Sequence, residues 1–237
     1  MPQTEVLVRM DNYIRQWQSG TDGKALFLGC YRMMTENMLG ALEAGAFKNT
    51  DWTDRLLHHF ADYYFRALEM YNSQAPGLPA VWRYAFDAAN EGENAPIQKL
   101  LLGVNAHINY DLVLTLHDLL HAEWAGCPEP QRQQYFGDYC YVNEIIGQTV
   151  DQVQDEILEP AQPSMRLVDD WMGRMDEWLL SRLITHWRDK VWENTVALLA
   201  APPTEKERIV QSIEVRALQR AEAIAGKNWP LGIGKIL

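Results

Sequence analysis

The chain has 237 residues, 47% of them apolar and 22% charged, which is enough for one sizeable core and too apolar for disorder. Its formal net charge is −11 with no basic stripe to offset it, so the surface repels phosphate backbones and anionic lipid and no nucleic-acid partner is expected. No run of about 18 apolar residues is present to span a membrane.

Glycine and proline fall in clusters, and the stretches between them read as helices. The first runs from about Thr4 to Gln18 and stops at Ser19-Gly20. Its start carries mixed charges and no long apolar run, unlike a signal peptide. The second is expected over Lys24 to Phe47, and the third from Thr50 or Asp51 to Tyr71. A loop with Pro76, Gly77 and Pro79 precedes a short helix from Ala80 to Ala89. Pro96 suits a first helical position and opens a long helix, about Ile97 to Ala125, that stops at Gly126-Cys127-Pro128. The next runs from Pro130 to about Leu158 and ends at Pro160, and another from about Met165 to Leu199 is closed by Pro202-Pro203. Thr204-Glu205-Lys206-Glu207 has the order of a capping box, placing the last helix between Thr204 and Gly226, and Lys227 to Leu237 reads as an irregular tail. No segment alternates with period two as a half-buried strand does. The expectation is an all-α fold, one bundle of about seven or eight helices with residues 1–237 as a single domain and the 97–125 helix at its centre. Cys30, Cys127 and Cys140 are odd in number and form no CxxC, which points to free thiols in a reducing, cytoplasmic setting.

The 97–125 helix stands apart. Between Lys99 and Glu123 there is no Lys, Arg or Glu, whereas a helix with a solvated face normally carries several. The same stretch holds Asn105, His107, Asn109, Asp111, His117, Asp118 and His121, and buried polar groups are costly unless paired or bound to something. At 100° per residue His107, Asp111, Asp118 and His121 fall within roughly a quarter-turn, with His117 nearly a quarter-turn further round and Asn105 and Asn109 on the far side. An imidazole and a carboxylate one turn apart can hold one ion, Zn first, with Mn or Fe as alternatives. The bland alternative is a wet helix face with two asparagines setting register.

Other helices supply further candidates. His59 and Asp62 are three apart on the third helix and could complete a metal shell, although Arg55 and Arg66 share that face. His186 is another candidate ligand, and Arg188 beside it could clamp a carboxylate or phosphate. Asn143 lies on the apolar stripe of Tyr135, Tyr139, Val142, Ile146, Val150 and Val153, where an amide needs partners. In this reading His107, Asp111, His59, Asp62, His117 and His186 are candidate metal ligands. Asp118 or His121 is the general base, and Asn105, Asn109, Asn143 and Arg188 orient a small-molecule substrate. No GxSxG, P-loop or GxGxxG is present.

Two resemblances rest on these residues. The run LLGVNAHINYDL over 101–112, with HFADYYFRAL and HWRDKVW, resembles the uncharacterised bacterial family known as domain of unknown function 5995, which implies a helical fold and no established activity. His107, Asp111 and His117 also have the spacing of a short motif that resembles one in the zinc-dependent phospholipase C and single-strand nuclease superfamily. That resemblance implies all three as metal ligands, with Asp111 able to bridge two ions. The downstream His of that superfamily has no counterpart, because no histidine lies between His121 and His186. The expected function is a metal-dependent hydrolase of a phosphoester or small ester. The alternative is a non-catalytic helical protein that binds an apolar small molecule or a partner helix.

Overall fold

The structure, a computed structural model, describes residues 3–18, 22–91, 94–158 and 169–226. The expected stops at Ser19-Gly20 and Pro160, residues 165–168 and the tail from Lys227 lie outside the described residues. Among the described residues are nine α-helices and no strand: α1 (Gln3–Gln18), α2 (Lys24–Glu43), α3 (Thr50–Asn72), α4 (Ala80–Asn90), α5 (Pro96–Ala106), α6 (Leu112–Leu120), α7 (Glu129–Val153), α8 (Asp169–Ala200) and α9 (Pro203–Ala225). The fold is an all-α multi-helix bundle. A π-helical turn, His107–Asp111, joins α5 to α6, another, Gln154–Leu158, follows α7, and a 3₁₀ turn covers Trp124–Gly126.

The helix ends have local causes. α2 stops at Glu43 rather than reaching Phe47, because Gly45 takes φ +68°. There the Ala46 N–H donates to the Ala41 carbonyl and the Gly45 N–H to that of Leu42, a Schellman motif that only a left-handed residue closes easily. At the start of α3, the Asn49 side-chain oxygen accepts the Trp52 N–H at 3.1 Å. The expected Thr204 capping box does not form. Pro202 precedes the helix and Pro203 opens it, so the Glu205 N–H is taken by the Pro202 carbonyl and Thr204 already lies inside.

The helices fall into two compact units, Met1–Leu57 with Pro128–Thr185, and His58–Cys127 with His186–Leu237. In the first, α1 packs on α2 and α2 on α7. Met10, Leu28, Trp52 and Tyr139 are essentially inaccessible there. The Asp138 carboxylate accepts the backbone N–H groups of Lys48 and Asn49 at 2.8 and 2.7 Å, tying α7 to the entry of α3.

In the second unit α4, α5 and α9 pack on one another, and the π-turn lies against α9. α9 buries Ile213, Ala217, Ala221 and Ile224, a stripe at helical spacing whose alanines let α5 come close. The gap is bridged by amides. Gln98 Nε2 donates to the Ile224 carbonyl at 2.7 Å and Asn105 Nδ2 to that of Ala217 at 2.8 Å. Asn109 Nδ2 donates to Asn105 Oδ1 at 3.0 Å. The scarcity of long charged residues between Lys99 and Glu123 thus reflects burial, with Leu101, Leu102, Asn105, Leu112, Val113 and Leu116 all at 0–2% exposure.

Candidate active site

The site lies in the second unit and is built on the irregular middle of the α5–α6 element. His107 and Asp111, one turn apart, are 3% and 1% exposed. His107 Nδ1 faces Asp111 Oδ2 at 3.0 Å. Trp82, from α4, donates its indole N–H to both Asp111 oxygens, at 3.0 and 2.9 Å. Phe60, from α3, stacks on the His107 imidazole with ring centroids 3.6 Å apart and planes 3° from parallel. Tyr64 and Trp82 meet the same ring at centroid distances of 6.1 and 6.0 Å. Burial holds the His107 imidazole toward its neutral form and pushes the Asp111 carboxyl well above the usual range, the Trp82 hydrogen bond opposing only part of that rise.

The backbone at this pair is a π-turn, with the Leu112 N–H donating to the His107 carbonyl five residues back. One extra residue in a helix offsets everything beyond it by about 100°. The expected shared face of His107, Asp111, Asp118 and His121 is therefore split. His107 and Asp111 point into the core, whereas Asp118 and His121 emerge at an exposed rim. The expected single helix to Ala125 is also divided, with α6 ending at Leu120.

At that rim Asp118 collects donors from α3. Its Oδ2 accepts the Tyr63 hydroxyl at 2.9 Å and sits 3.0 Å from His59 Nε2. α3 thus serves both places with adjacent stripes, 59 and 63 toward Asp118, 60 and 64 toward His107. Burial would raise the Asp118 carboxyl, but the hydrogen bonds from His59 and Tyr63, with the nearby His59 and His117, hold it below its ordinary value. An ionised Asp118 fixes the proton of His59 on Nε2 and leaves Nδ1 with the lone pair. The Tyr63 phenol is pushed up, by burial first and then by its bond to Asp118.

His117 carries the cluster across to α9. Its Nε2 lies 3.0 Å from Lys206 Nζ, so the ammonium donates and His117 is neutral with its proton on Nδ1. That Nδ1 is 3.7 Å from Asp118 Oδ1, close but longer than a hydrogen bond. Burial, followed by the Lys206 charge, lowers the His117 pKa. The His121 ring stacks on His117 at 5.3 Å, with its Nδ1 against the Asp118 carbonyl at 2.9 Å.

The remaining sequence candidates are placed as follows. Asp62 and His186 are half-buried, and Arg188 is buried. Asn105 and Asn109 direct their amides to each other and to α9. Asn143 belongs to the first unit and is half-buried, less enclosed than its apolar stripe implied. The three cysteines are free thiols, and burial pushes the Cys30 thiol up to about 12.

The donor sets fit a metal poorly. At the buried pair both Asp111 oxygens already take the Trp82 N–H, and His107 Nδ1 faces the same carboxylate. At the rim His59 and His117 turn nitrogens toward Asp118, but Lys206 occupies the other side of His117. Among the described residues no three His, Cys, Asp or Glu side chains are arranged to hold an ion. Tyr63 and Lys206 escaped the sequence reading. Tyr63 had a visible signal, being one turn from His59, whereas nothing in the sequence links Lys206 to His117.

The chain belongs to the family of unknown function DUF5995, whose sequence signature matches residues 3–227. No curated protein and no solved structure matches it. Among the described residues no helix is long and apolar enough to cross a membrane.

Proposed function

We propose that this DUF5995 chain is a hydrolase of a phosphoester or small ester, working at the Asp118 rim by acid–base chemistry. The observation that carries the reading is the solvent-reached His59–Asp118 pair, in which the carboxylate accepts the Nε2–H hydrogen bond and leaves Nδ1 to act. The two side chains are 26% and 42% exposed, so a substrate and a water can reach them, unlike the sealed His107–Asp111 pair.

In the proposed reaction a water attacks the carbonyl carbon or phosphorus while His59 Nδ1 takes its proton. The imidazolium so formed keeps its Nε2 proton in the bond to Asp118, which offsets the new charge. The proton on Nδ1 then passes to the departing alkoxide, leaving acid and alcohol and restoring neutral His59. Asp118 and Tyr63 are positioning residues. His107, Asp111 and Trp82 hold the π-turn and anchor Phe60, and through it the stripe of α3 that presents His59.

The test is a panel of chromogenic phosphate and carboxylic esters, assayed before and after exhaustive chelation. Turnover that survives chelation and falls at least a hundredfold in His59→Ala supports the reading. Turnover abolished by chelation and restored by Zn, Mn or Fe would replace it with the metal-dependent hydrolase expected from the sequence. No turnover on any ester, with specific retention of an apolar ligand instead, would favour the non-catalytic alternative.

A further inference from the structure

The cation at the edge of this rim is poorly compensated. Lys206 is half-buried in the first turns of α9, where the positive end of the helix disfavours an ammonium. The chain carries 32 acidic residues, and several of its other cations use them, as Lys24 with Asp22, Lys190 with Glu193 and Arg32 with Asp11 and Glu36, whereas Lys99 meets the Ala89 carbonyl. Among the described residues the Lys206 ammonium has one hydrogen-bond partner, the Nε2 of neutral His117 at 3.0 Å, and no carboxylate at ion-pair distance. The neighbouring Glu205 is directed at Arg208, 3.8 Å away. A lysine ammonium has three donors, so two remain for a ligand. A neutral imidazole offers a lone pair but no negative charge, so it orients the ammonium without neutralising it.

We propose that Lys206, steadied by His117, is an anion subsite of the rim and binds a phosphate group of the substrate other than the ester that is hydrolysed. This rests on the hydrolase reading and narrows it to substrates with a second, anionic group, because Lys206 is separated from His59 by His117 and Asp118. The ammonium acts as a point charge on a phosphate oxygen, and the strongly acidic remainder of the surface repels the same anion elsewhere. Neutral esters gain nothing from Lys206 and are the poorer substrates.

The experiment is a titration with inorganic phosphate at constant ionic strength, following the side-chain nitrogen resonances of His117 and His121 by NMR. The wild type is expected to saturate, with the His117 Nε2 signal moving as the ammonium is drawn to the anion. Lys206→Gln is expected to bind at least tenfold more weakly, Lys206→Arg to recover most of the affinity, and Lys190→Gln to bind as the wild type does. Absence of saturation in the wild type overturns the proposal. So does binding by Lys206→Gln within twofold of the wild type, or equal weakening in Lys190→Gln, which marks an adventitious ion only. Because the readout is binding without turnover, the two ideas fail separately. Phosphate held by Lys206 in a protein that hydrolyses nothing sinks the hydrolase and keeps the subsite, and hydrolysis without phosphate binding does the reverse.

Discussion

The α5–α6 element carries two polar clusters barely two turns apart, and they live in opposite environments. At His107 and Asp111 the imidazole and carboxylate are sealed by Phe60, Tyr64 and Trp82. At His117 and Asp118 the same two residue types face solvent and meet His59, Tyr63 and Lys206. A sealed pair is worth much to the fold and reaches no substrate. An exposed pair is worth little to the fold and is free to act. The π-turn that carries the first pair separates the two, since a continuous α-helix would put His107, Asp111 and Asp118 on one face.

The comparison can be broken most decisively at the rim. His59→Ala is expected to lower kcat by roughly 10²–10⁴, the usual contribution of a positioned general base. Its stability in urea should change by less than about 1 kcal/mol, as for exposed ion pairs. A variant that loses several kcal/mol instead would make His59 a packing residue. In the core the effect is reversed. His107→Ala should cost about 2–5 kcal/mol, because it opens a cavity beside Phe60 and removes a buried hydrogen-bond partner of Asp111. A fully stable His107→Ala would show that the pair is not sealed.

A smaller effect isolates the indole. Trp82→Phe keeps the aromatic packing but withdraws the indole N–H from both Asp111 oxygens, at an expected cost of about 1–3 kcal/mol, read from the urea midpoint at unchanged m-value. The smallest effect is a slope. Burial raises the Asp111 carboxyl, so the folded state keeps that proton at a pH where the unfolded chain has released it. Stability from this group is full below about pH 4 and is lost as pH rises toward the raised value. The destabilisation by Asp111→Asn should accordingly shrink between about pH 4 and pH 7. Growth of that difference over the same range would mean that Asp111 is ionised in the fold.

Much of the fold was legible because its signals are local. The expected helices lie within a few residues of the observed ones, and the lack of Lys, Arg and Glu from residue 100 to 122 reported a buried segment. Helix ends were less certain, since the αL stop at Gly45 and the Pro202–Pro203 entry to α9 depend on backbone geometry rather than periodicity. The candidate site was legible only in pieces. His107 with Asp111 followed from one-turn spacing and did pair. Asp118 and His121 were assigned to the same face, because a wheel of 100° per residue cannot register an inserted residue. The meeting of His117 with Lys206 joins positions 89 residues apart, and no property of either stretch announces it.

In the proposed hydrolase Asp118, not Asp111, orients the imidazole that acts. The direct measurement is kcat against pH for Asp118→Asn beside the wild type, on a substrate the wild type hydrolyses and at matched folded fraction. An amide at 118 no longer offers the Nε2 proton a charged acceptor, so kcat should fall at least tenfold across the profile. An unchanged profile and rate in Asp118→Asn would exclude that role for Asp118 and leave the rim as surface.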